Sequence, residues 1–189
     1  TRPLLVSSSM AADTFLKDWV LAGEVDPDKI TRYLDLIKER YGFFTTFFIS
    51  ANTGVYYRFS GIHKKISPHD AHGVWYFDFL SSGKEYDFDV DSDEADGNVL
   101  TVFINYKVFD GKGILLGVTG VGLKVDSVAR RITEYQKKYD RAVYLTDTQG
   151  VVQIHPDMTL IEKKTIAELE GMADLADEIL DKSKDSANF

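Results

Sequence analysis

The 189-residue sequence contains no cysteine. That single absence removes disulfides, thiolate metal ligands and cysteine nucleophiles together. It leaves the compartment open, because cytosolic and extracytoplasmic domains can both do without thiols. Basic residues are outnumbered, 22 against 30 acids, for a formal net charge of −8. A general nucleic-acid surface needs clustered Lys and Arg, so nucleic acid is not an expected partner. No apolar run is long enough to span a bilayer, and no signal-peptide pattern is visible. The chain starts without methionine inside an apparent helix and reads as a piece of a longer protein.

The catalytic motifs are missing as well. There is no glycine-rich phosphate loop, since Gly111-Lys112-Gly113 is short and sits in a hairpin. No Gly-x-Ser-x-Gly elbow is present. Among the histidines, His63, His69 and His72 fall between Gly61 and Gly73, but His69-x-x-His72 lacks a metalloprotease glutamate. They read as solvated loop residues, with His69 a candidate for lining a pocket. The acidic segment Tyr86–Asp96 (YDFDVDSDEAD) resembles a calcium loop only superficially. Counted from Asp89, positions six and twelve hold Glu94 and Leu100 where glycine and a bidentate acid are required. It reads as a solvated edge strand and turn. No metal, no cofactor and no catalytic residue is expected.

Hydrophobic residues at 44% and aromatics at 13% describe a folded protein. Thr1–Ala22 has helical spacing, with Leu5, Ser8, Ala12, Phe15 and Trp19 near one stripe. Asp26-Pro27 opens a second helix that Gly42 closes. Phe43–Ser50 and Val55–Ser60 form a hairpin about Asn52-Thr53-Gly54. Val74–Leu80 is a short aromatic helix. Val99–Phe109 and Ile114–Leu123 flank Asp110-Gly-Lys-Gly113, and both strands are apolar on two faces, which puts this hairpin at the centre of a sheet. A helix with a narrow stripe follows, Val125, Val128, Ile132, Tyr135 and Tyr139. Ala142–Asp147 and Val151–His155 form another hairpin, and a helix is predicted over Thr165–Leu180. Two hairpins of one kind, each after a helix, suggest an internal duplication whose second copy is incomplete.

A small-ligand cavity is expected between the half-apolar sheet and the aromatic helix. The candidate ligand-binding residues are Tyr57, Arg58, His69, Trp75, Tyr76, Tyr86, Thr101 and Asn105.

In this order, FFISANTGVYYRFSG, VWYFDFL, YDFDVD, LTVFINYKVFDGKGILLGVTGVGL and YLTDTQGVVQIHPD resemble the double Cache sensor domains, tandem PAS-like modules on bacterial transmembrane receptors. The sensor regions of GGDEF-type diguanylate cyclases and of sensor histidine kinases are the nearest in flavour. The resemblance implies an α+β fold: a PAS-like antiparallel sheet with long N-terminal helices, and tandem modules of which the second is incomplete. The expected divisions are helices over 1–42, a membrane-distal module over 43–123, a connecting helix over 124–139, and the start of a proximal module over 140–189. It implies a periplasmic sensor on a membrane-anchored protein, a homodimer through the N-terminal helix, and a diguanylate cyclase or histidine kinase output outside this chain. The amino-acid-binding branch of the family keeps an arginine two residues before the tryptophan and an aspartate ending the Gly-Val-x-Gly-Val strand. Gly73 and Gly122 stand there instead. An amino acid is therefore not the expected ligand; Arg58, Lys64, Lys65 and His69 point to a small anion such as a carboxylate. A ligand-free protein-interaction module and a soluble enzyme domain are the rival readings.

Overall fold

The computed structural model describes residues 2–69, 73–93, 95, 97, 99–139, 143, 145–147, 149–155, 157–161 and 163–185. His72, Glu94 and Asp96 lie outside them. The chain divides into two compact units, Thr1–Lys124 and Val125–Phe189.

Three helices open the first unit: α1 (Arg2–Ala12), α2 (Thr14–Leu21) and α3 (Pro27–Tyr41). The single N-terminal helix expected from sequence is broken at Asp13, whose extended backbone (ψ 127°) lets its carboxylate accept the Phe15 N–H as an N-cap. The break resets the helical phase. Val6, Ser7, Met10 and Ala11 face inward on α1, while Leu5 is 68% exposed. The expected stripe through Leu5 and Ala12 is thus on the wrong side. Ser7 is inside because its hydroxyl donates to the Ile104 carbonyl, 3.2 Å away.

The sheet has six antiparallel strands: β1 (Thr45–Ser50), β2 (Val55–Arg58), β3 (Gly61–Lys65), β4 (Tyr86–Asp93), β5 (Val99–Phe109) and β6 (Leu115–Lys124), in the order β3-β2-β1-β6-β5-β4. The β5–β6 hairpin is interior, as its two-sided apolar character predicts, and is closed by an Asp110 carboxylate that accepts the N–H groups of Lys112 and Ile114 at 2.8 Å each. Strand β3 is a correction. The stretch after Ser60 reads as a histidine-bearing loop, yet Gly61, at φ 124°, turns the chain back and Gly61–Lys65 pairs with β2.

Side chains alternate across this sheet and build two cores. On one face Phe48, Tyr57, Ile104, Tyr106 and Val121 pack beneath α1, α2 and α3 with Leu16, Trp19 and Leu34. On the other, Phe47, Ile49, Tyr56 and Val118 pack beneath α4 (Val74–Ser81) with Tyr76 and Phe79. Glycines let the strands come this close: a Cβ on Gly120 would sit 2.2 Å from the Ile104 carbonyl oxygen and 2.9 Å from Phe47 Cζ.

One buried acid ties helices to sheet. Glu24, in the α2–α3 connection at φ 58°, accepts hydrogen bonds from Ser50 Oγ, from Thr53 Oγ1 at 2.8 Å and from the Tyr57 hydroxyl at 2.8 Å. Burial, and after it Glu24, raises the Tyr57 pKa.

The second unit contains α5 (Val125–Tyr139), β7 (Leu145–Thr146) paired with β8 (Val152–Ile154), and α6 (Ala173–Asp185). The helix predicted over Thr165–Leu180 is interrupted. A 3-10 turn, Ile166–Glu168, carries a Thr165/Glu168 capping box, and Gly171 at φ 74° separates it from α6. No helix among the described residues is long and apolar enough to cross a membrane.

Candidate functional site

The site lies on the α4 face of the first unit's sheet. Strand β4 pairs with β5 in the register Asp87–Asn105, Asp89–Phe103, Asp91–Thr101 and Asp93–Val99. The period of two therefore puts four aspartates on the face that also carries Asn105 and Phe103. The same alternation sends Tyr86 to the opposite face, where it stacks on Tyr106 at 5.2 Å.

Two adjacent hollows with shared lining residues result. An inner cavity of about 40 Å³ is lined by Tyr56, Trp75, Asp89, Asp91, Ser92, Asp93, Phe103 and Asn105. An outer cleft of about 310 Å³ is lined by Trp75, Asp78, Phe79, Ser82, Asp87, Asp89 and Asn105. Trp75, Asp89 and Asn105 line both. The inner cavity has room for a group of about the size of a water molecule, and the cleft for a larger one.

Trp75 is held by α4, edge-on to Phe47 at 6.2 Å, and half-buried. Helix α4 is fixed in turn by Lys107, whose Nζ donates to the Leu80 carbonyl at 3.1 Å and lies 4.9 Å from the Phe79 ring centre. Asn105 is 1% exposed, and its Oδ1 has no hydrogen-bond donor among the described residues. Its β6 neighbour is Gly120, so no side chain covers it from that strand. A buried amide oxygen without a donor is costly, and any molecule that brings an N–H or O–H, water included, satisfies it.

The electrostatics are acidic. Asp93, 4% exposed, is paired: its Oδ2 lies 3.0 Å from Arg58 Nη2, and Oδ1 accepts the Ala95 N–H. Asp87 is bridged to Lys84 at 3.0 Å. No cation among the described residues pairs with Asp89 or Asp91. Burial, then the negative charges of Asp91 and Asp87, raise the Asp89 pKa above the usual carboxylate value. Among the described residues, no group of acids and histidines is arranged to hold a metal ion.

The sequence-derived candidates therefore separate. Trp75 and Asn105 line both hollows. Arg58 is 2% exposed and is paired with Asp93 of the cavity lining, its Nη2 also donating to Thr45 Oγ1 at 2.8 Å. Thr101 shares the face but is fully buried, its hydroxyl donating to the Val99 carbonyl. Tyr76 packs under α4, and burial pushes its phenol up to about 12. Three candidates are misplaced. Tyr57 is one residue out of phase and faces the helices, while its neighbour Tyr56 lines the cavity. Tyr86 shares that wrong face, and His69 is exposed in a turn after β3. Lys64 and Lys65 lie on β3, at the opposite sheet edge from β4. The expected basic ring for an anion is not assembled, because its arginine is consumed by Asp93 and its lysines and histidine are elsewhere. The acids were legible as an alternating pattern, YDFDVDSD, but read as solvated.

Gly122 has a steric reason. A Cβ there would stand 2.4 Å from Thr45 Cγ2 and 2.8 Å from Thr101 Cγ2. Two threonine methyls occupy the space an acid at this position would need.

No protein-family model matches the chain. Its fold matches solved sensor domains. The ligand-binding domain of the Pseudomonas aeruginosa amino-acid chemoreceptor PctC, solved with GABA, superposes with a TM-score of 0.60 at 18% identity, over 88% of this chain and 71% of that one. The ligand-binding domain of the Pseudomonas fluorescens chemoreceptor CtaA, solved with L-serine, gives 0.61 at 17% identity over 87% and 67%. The extracellular domain of the putative histidine kinase mmHK1S-Z2 gives 0.59 at 11% identity over 87% and 71%. The chain thus has the α+β, PAS-like fold of receptor ligand-binding domains.

Proposed function

We propose that this chain is the extracytoplasmic ligand-sensing domain of a membrane-anchored bacterial receptor, and that it binds a small organic molecule in the cleft between α4 and β4. The observation that carries the reading is Asn105, a buried amide on the cleft lining whose oxygen has no donor among the described residues. The fold supports the signalling role, since similar domains come from chemoreceptors and from a histidine kinase. The domain itself is non-catalytic in this reading, and its output is a diguanylate cyclase or a histidine kinase. Dimerisation through α1 fits the outward position of Leu5, Ser9 and Ala12. Ligand drives signalling only through different affinities for two receptor states.

Calorimetry against a panel of L-amino acids, organic acids and aliphatic amines tests the reading. At least one class is expected to bind with a 1:1 stoichiometry, and Asn105→Leu or Trp75→Ala is expected to abolish that binding while the far-UV circular dichroism is kept. A panel without binders, or a binder indifferent to both substitutions, refutes it.

A further inference from the structure

Four aspartates on one face of an edge strand would by themselves be a solvated ladder. Three further features give this ladder a direction. Arg58 and Lys84 pair with Asp93 and Asp87, leaving Asp89 and Asp91 without a paired cation among the described residues. Asn105 presents a buried acceptor oxygen without a donor on the same face. Tyr56 and Trp75 supply aromatic walls to the same cavity. Asp89, Asp91 and the Asn105 oxygen, which have no cation or donor side chain against them among the described residues, all accept hydrogen bonds or attract positive charge. Aromatic faces suit a cation as well.

Spacing narrows the class. Residues two apart on a strand lie roughly 6.5–7 Å apart along it. Two ammonium groups joined by four methylenes span about 6 Å, five bonds of about 1.5 Å in an extended zigzag. A ligand with one ammonium leaves either Asp89 or Asp91 uncompensated; a ligand with a carboxylate would place like charge against both. Neither lining contains, among the described residues, a lysine or arginine to hold an amino acid's own carboxylate.

Resting on the sensor reading above, we infer that the cleft is selective for short aliphatic diamines, with one ammonium at Asp89 and the Asn105 oxygen and the second at Asp91. The methylenes then lie against Trp75 and Phe103. The raised pKa of Asp89 accords with this, since two crowded carboxylates gain most from a bound dication.

The test is calorimetry with 1,4-diaminobutane, 1-aminobutane and L-serine at neutral pH and low salt. The diamine is expected to bind at least about tenfold more tightly than the monoamine, and Asp89→Asn and Asp91→Asn are each expected to weaken it by about tenfold or more. Asp91 is exposed, so its substitution leaves folding intact and keeps the test decisive. Equal affinity for mono- and diamine, no diamine binding, or diamine binding unaffected by both substitutions overturns the inference. L-serine binding without diamine binding overturns the diamine class while leaving the sensor reading standing. No binding of any compound in the wider panel overturns both.

Discussion

Replacing Arg58 by methionine isolates the energetics of the inner end of the cleft. Arg58 and Asp93 are 2% and 4% exposed, and their 3.0 Å contact is supported by Thr45 Oγ1 on the guanidinium side and the Ala95 N–H on the carboxylate side. Methionine keeps most of the aliphatic volume but leaves the Asp93 carboxylate buried without its guanidinium. Breaking a buried pair from one side costs about 3–5 kcal/mol. For a unit of this size that lowers the melting temperature by on the order of 10–20 °C. Asp93→Asn should cost a similar amount for the mirror reason. The double substitution Arg58→Met/Asp93→Asn removes both charges and should cost well under the sum, giving a coupling of about 2–3 kcal/mol. Urea denaturation followed by tryptophan fluorescence measures all three. Both tryptophans, Trp19 and Trp75, are in the first unit, so the signal reports that unit alone. A single-substitution cost below about 1 kcal/mol, or strict additivity in the double, would refute the assignment of Arg58 as an internal counter-ion and return it to the pool of ligand anchors.

Gly122→Ala should destabilise the first unit by about 1–3 kcal/mol, because the new methyl meets the Thr45 and Thr101 methyls at 2.4 and 2.8 Å. Adding Thr45→Ser, which keeps the hydroxyl and deletes one methyl, should recover part of that loss; a neutral Gly122→Ala in urea denaturation would show that the strand has room after all. The third prediction concerns pH. Asp89 has a folded pKa above its unfolded value, so its ionisation destabilises the empty protein. Stability is gained as pH falls through the folded pKa and the gain is complete below the unfolded one. The groups facing it are Asp87 with Lys84, Asp91 on the same strand and Asp78 on α4. Asp89→Asn should therefore raise the melting temperature at pH 7 and flatten its rise on mild acidification, while diamine affinity falls in the unsubstituted protein over that same range. A melting curve against pH that is unchanged by Asp89→Asn removes Asp89 from the site.

Much of the fold was legible because it rests on strong local signals. The Asp110-Gly-Lys-Gly turn between two apolar strands placed the β5–β6 hairpin at the sheet's centre, and Gly42 ended α3 as a left-handed cap. What was lost turned on single residues. Asp13 divides one helical pattern into two, and only its extended backbone shows that its side chain caps rather than faces solvent. Gly61 hides a strand by reversing the chain within a polar stretch. At the site, Trp75 and Asn105 were recognisable as an aromatic on a short helix and an amide inside an apolar strand. Tyr57 and Tyr86 failed on phase: sequence shows that alternate residues share a face but not which face carries α4. Arg58 looked available because its partner lies 35 residues later, beyond any local pattern.

The acid ladder has a second consequence, for solubility. Strand β4 is an eight-residue sheet edge, long enough to recruit a strand from another molecule, and its helix-side face exposes Phe88. Four aspartates along such an edge repel an identical edge on a second molecule. Neutralising substitutions at Asp89 and Asp91 thus remove protection against edge-to-edge association as well as recognition, and a dication in the cleft does the same reversibly. In the reading proposed above, the strand that recognises the ligand also guards the sheet edge against pairing with a second edge, which leaves association through α1 open.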